Sequence, residues 1–67
     1  MAHPVKAKVL LAAAEVLGGR LQLRSRLGVS SATLHAWLSG AADPPRDAFL
    51  QAVMIILADL ESREGRR

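Results

Sequence analysis

Apolar residues recur three and four positions apart along most of the chain, which is the pattern of amphipathic helices. The first such segment runs from Pro4 to Leu17. Its apolar face comprises Val5, Val9, Leu10, Ala13, Val16 and Leu17. Gly18 and Gly19 end this helix, because glycine readily adopts the left-handed conformation that closes a helix. Nowhere do β-branched and aromatic residues alternate with period two, so the predicted fold is all-α, with four to five helices.

Two short helices are predicted next. The first covers about residues 20–27, and the second runs from the residue after Ser30 to about Ser39. Gly28 ends the first. Ser30 precedes the second as its N-cap, since a serine hydroxyl can accept a hydrogen bond from an early backbone N–H. Apolar residues of both segments can converge on one core: Leu23, Leu27, Val29, Leu34, Trp37 and Leu38. Two helices joined by a tight turn that contains glycine are typical of a helix-turn-helix unit, here over about residues 20–39.

The last helix is predicted over about residues 45–63, after the turn at Pro44 and Pro45. Its expected core stripe is Phe49, Val53, Ile56, Leu57 and Leu60. Met54 then lies at the edge of the stripe and Ile55 on the far side, which indicates a further buried surface. Met54 and Ile55 are therefore the predicted dimer interface, with the edge of the first helix near Leu11 as the alternative. The alternative is that Ile55 is an isolated exposed residue without a partner surface, which is common in soluble proteins.

Charge is distributed unevenly along the 67 residues, which are enough for one domain spanning 1–67. The net charge is +3, but residues 1–39 hold five basic residues against one acidic residue, a net +4. This bias favours an anionic partner without identifying one. The longest apolar run, from Ala52 to Ala58, is far shorter than the ~20 residues that span a bilayer. We therefore expect a soluble, cytoplasmic protein that does not enter a membrane.

The outward face of the third helix carries small and mostly uncharged residues. Ala32 and Ala36 lie opposite the apolar stripe, with His35 and Ser39 beside them. A helix that enters the DNA major groove must fit between two phosphate backbones, so small outward residues favour that role. The alternative is that the alanines only raise helix propensity.

The segment GGRLQLRSRLGVSSATLHAWLSG resembles the lambda-repressor/Cro-like helix-turn-helix family. It is most similar to the short YdaS-like members, which are regulators of prophages and antitoxin-type operons. The resemblance covers about residues 16–45. It implies a compact lambda-repressor-like domain that binds double-stranded DNA as a repressor-like transcriptional regulator. The recognition helix would be about Ser31 to Ser39, and a homodimer is expected because one such unit reads only a few base pairs.

The resemblance also assigns roles to single residues. Those at base-reading positions are Ser31, Ala32, His35 and Ala36. It places Arg20, Ser30 and Thr33 at phosphate-contacting positions. Arg24, Arg26 and Ser39 are further candidate phosphate contacts that the resemblance does not assign. Two residues depart from the family pattern: Arg24 stands where a small residue usually lies under the third helix, and Asp43 replaces a loop residue that is often basic. Both departures predict weaker DNA binding, unless Arg24 and Arg26 compensate.

Catalysis and metal binding are not indicated. His3 and His35 have no partner residues at metal-ligand spacing, and the chain has no cysteine. The sequence predicts no enzyme activity, metal, cofactor or small-molecule substrate. The principal alternative function is a helical protein-interaction module, antitoxin-like or adaptor-like, which keeps this scaffold without binding DNA.

Overall fold

Four α-helices make up the computed structural model, which describes residues 4–65 and contains no strand within them. The helices are α1 (Pro4–Leu17), α2 (Arg20–Leu27), α3 (Ser31–Ser39) and α4 (Arg46–Glu64). The predicted all-α class and the ends of the first three helices are confirmed. Helix α4 begins one residue after Pro45, which caps it. Over the same residues, no helix is both long enough and apolar enough to cross a membrane.

The ends of α2 and α3 follow from local chemistry. Gly28 and Gly40 close these two helices in the left-handed conformation, with φ of 69° and 85°. A Cβ at Gly28 would meet no atom within 4 Å, so the backbone conformation and not the available space favours glycine there. Ser30 caps α3 as predicted, because its Oγ accepts a hydrogen bond of 3.1 Å from the backbone N–H of Thr33.

Helix α1 lies at the centre of the fold and contacts the other three helices. Leu10 and Ala13 on this helix are 0% exposed, and Ala14 is also buried. The predicted core of α2 and α3 is confirmed, since Leu23, Leu34, Trp37 and Leu38 are buried while Leu27 and Val29 pack against them. Val5 was predicted for the same face of α1 but is exposed, because the buried part of that helix starts further along the chain.

The predicted orientation of α4 is wrong. Its buried residues are Ala48, Ala52 and Ile55. Ile55, which was expected on the outer side as part of a dimer interface, is only 9% exposed and belongs to the core of the monomer. Leu57, which was expected in the core, is 53% exposed, and Leu60 is exposed as well. Phe49, Val53 and Ile56, which were also expected in the core, are only partly buried.

The size of the residues between α1 and α4 explains this orientation. The distance between two packed helices depends on the side chains at their contact, so alanine allows the closest approach. Ala48 and Ala52 on α4, and Ala13 and Ala14 on α1, are all buried. Ile55 follows Ala52 by one turn and therefore enters the core with the alanines. The prediction from hydrophobic periodicity followed the large apolar residues of α4 and not its alanines. It therefore placed the wrong side of α4 in the core.

The orientation of α4 is tested by placing aspartate at two positions. Ile55→Asp should leave the protein largely unfolded, because an unpaired buried charge costs several kcal/mol and a domain of this size has about 5–15 kcal/mol in total. Leu57→Asp should remain folded, because Leu57 is 53% exposed in the monomer and a charge there stays in contact with water. Urea unfolding followed by circular dichroism measures both at one protein concentration. A folded Ile55→Asp protein beside an unfolded Leu57→Asp protein would show that the sequence-based orientation was correct.

Candidate nucleic-acid interface

The outward face of α3 presents the predicted base-reading residues to different degrees. Ser31, Ala32 and His35 are exposed, whereas Ala36 is only partly exposed. The α3 helix has nine residues, which corresponds to a length of about 14 Å. Apart from the imidazole of His35, the side chains on this face are all small.

A cleft of about 280 Å³ lies between α2 and α3, beside this face. Arg20 and Arg24 of α2 line it together with Ser31 and His35 of α3. Leu21, Leu34 and Leu38 supply its apolar lining. The structure thus brings two candidate phosphate-binding arginines next to two candidate base-reading residues. Arg26 lies elsewhere on α2, in a shallow depression with Leu17, Gln22 and Ser25.

Arg24 lines this cleft between α2 and α3, and it stands where the family resemblance predicts a small residue. Its side chain is partly buried, and its Nε atom is buried with no hydrogen-bond partner among residues 4–65. A buried donor without a partner costs about 1–3 kcal/mol, and more when the group is charged. Arg24 thus combines a position in the lining of the cleft with a partly buried side chain.

The candidate hydroxyl contacts are partly engaged within α3 itself. Ser30 Oγ donates a hydrogen bond of 2.9 Å to Thr33 Oγ1, and Ser39 Oγ donates one of 3.2 Å to the carbonyl oxygen of Ala36. A serine hydroxyl has a single proton to donate. In this arrangement Ser30 and Ser39 can offer a phosphate no hydrogen, whereas Thr33 accepts from Ser30 and keeps its own proton for donation.

Leu21 is a residue of this surface that sequence reasoning missed. It is 63% exposed although it is apolar, and it lies beside the two arginines of the cleft. A signal was present in the sequence, because Leu21 precedes the core residue Leu23 by two positions and so points away from the core on a helix.

In residues 4–65 no group of three or more histidine, aspartate or glutamate side chains could hold a metal ion.

Comparisons of the chain with protein-family models, curated proteins and solved structures found no match. The function is therefore inferred from the residues of this surface.

Proposed function

We propose that the protein is a sequence-specific, double-stranded DNA-binding transcriptional regulator with a lambda-repressor-like helix-turn-helix, and that α3 enters the major groove. The observation that carries the proposal is the shared cleft, in which Arg20 and Arg24 adjoin Ser31 and His35. Phosphate contacts fix the position of a protein on the duplex and base contacts give its sequence preference. Both kinds of group lie together on this one surface.

The small outward residues of α3 fit the dimensions of the groove. The major groove is about 12 Å wide, and a helix with its side chains is about 10–12 Å across. Small outward residues therefore allow the backbone of α3 to approach the bases closely. Ala32 can touch a thymine methyl group, and Ser31 can bond to several bases and so discriminates little between them. His35, the largest polar side chain on this face, carries most of the direct readout by bonding to a purine acceptor.

A second copy of the chain completes the proposed DNA-binding unit through α4. Four apolar residues on the outside of this helix are exposed or partly exposed: Leu50, Val53, Leu57 and Leu60. Their spacing of three, four and three residues is that of a helix-pairing seam. Met54 lies beside the seam and is 67% exposed. This surface replaces Ile55 in the dimer interface, since Ile55 lies in the core of the monomer.

Salt dependence tests the DNA-binding proposal. Affinity for a duplex should fall steeply as salt rises, because each phosphate contact releases condensed counterions. Arg20→Ala should weaken binding to all sequences similarly and reduce the slope of log affinity against log salt by about one per protomer. Fluorescence anisotropy with labelled duplexes measures this between low and physiological salt.

Arg63→Ala is the matched control. It removes the same charge from the end of α4, where Arg63 forms an exposed ion pair with Asp59 of 3.0 Å, and such pairs contribute little to stability. It should leave the slope nearly unchanged. If the wild-type protein binds no duplex at low salt, the DNA-binding proposal is wrong and a protein-interaction module takes its place.

The dimer is tested by its state of association in solution. The wild-type protein should sediment as a dimer at high concentration, and Leu57→Asp should sediment as a folded monomer, because it places a charge in the middle of the apolar seam. The exposed residue Ala58 provides a control outside the seam. Ala58→Asp should remain dimeric. A wild-type protein that stays monomeric at high concentration, with and without DNA, would contradict the proposed interface.

A further inference from the structure

The cleft between α2 and α3 combines positive charge with an apolar lining. Arg20 and Arg24 are four residues apart on one helix, where two like charges oppose each other. None of the residues that line the cleft is acidic. An anion placed here would lie between the two guanidinium groups and reduce the repulsion between them.

We propose that this cleft binds a small amphipathic carboxylate, with the carboxylate on the guanidinium of Arg24 and the apolar body on Leu21. The two terminal nitrogens of a guanidinium form a fork of N–H donors that matches the two oxygens of a carboxylate. Ser31 and His35 stand on the opposite wall and can hydrogen-bond to the same group.

The size and lining of the cleft restrict the ligand. Its volume of about 280 Å³ is just below the ~300–1,000 Å³ found for ligand pockets. The cleft therefore suits a compact molecule, such as an aromatic or branched-chain acid. An inorganic anion would leave Leu21, which is 63% exposed, in water, so this side chain favours a ligand that carries an apolar body as well as a charge.

The ligand site would have a regulatory consequence that rests on the proposed function. Arg20, Ser31 and His35 belong both to the cleft and to the proposed DNA-binding surface. A carboxylate in the cleft would therefore compete with the duplex for these side chains. Binding of the carboxylate itself requires no DNA, so the two proposals can fail separately.

The experiment is a titration of the free, ¹⁵N-labelled protein with 2-naphthoate, followed by NMR. The amide signals of residues 20–24 and 31–38 should shift together with saturation. Naphthalene-2-methanol, which lacks the charge, and inorganic phosphate, which lacks the apolar body, should each bind at least about tenfold more weakly, since both parts contribute. If phosphate binds as well as naphthoate, the site is a simple anion site and the proposal is wrong.

Matched variants locate the site on α2. Arg24→Gln should weaken naphthoate binding about tenfold or more, and Arg20→Gln should weaken it as well. Arg26→Gln removes the same charge from the same helix, but Arg26 lies outside the cleft, so this variant should bind like the wild type. The NMR spectrum of each variant shows whether it is folded. Equal weakening by Arg24→Gln and Arg26→Gln, or shifts outside α2 and α3, would overturn the proposal.

Discussion

Close packing around α1 is the constraint on which the rest of this structure depends. A short chain without cysteine has to obtain its stability from tight packing or from association. Leu10 and Ala13 are fully buried on α1, and this helix contacts the other three. Its small residues allow α4 to approach through Ala48 and Ala52. The orientation of α4, and with it the surface left for a partner, follows from this contact.

The sequence predicted those features that depend on neighbouring residues. Gly28, Ser30 and Gly40 define where α2 and α3 end or begin, and each acts through its own backbone or hydroxyl. The orientation of α4 could not be predicted in the same way. It depends on how closely another helix approaches, and hydrophobic periodicity gives large residues more weight than alanine. For this reason Ile55, which was expected on the outside of α4, is buried, and Leu57, which was expected in the core, is exposed.

The candidate site was predicted as a set of residues but not as a shape. The sequence placed Arg20, Ser31 and His35 on one helix-turn-helix surface, and the structure brings them to one cleft. The role of Arg24 depends on the space between two helices, which periodicity does not describe. The side chain of Arg24 is partly buried and Leu21 is exposed. The cleft between α2 and α3 is therefore both charged and apolar. The engagement of the Ser30 and Ser39 hydroxyls within α3 likewise required atomic positions.

The central claim is that α3 reads base sequence in duplex DNA. The most direct measurement is repeated selection of bound duplexes from a random pool by the purified protein, with sequencing of the retained fragments. The account predicts one recurring short motif, present twice about one helical turn apart, and loss or change of that motif with His35→Ala. Retention of fragments without any recurring motif, or the same motif with His35→Ala and with Ser31→Ala, would contradict it.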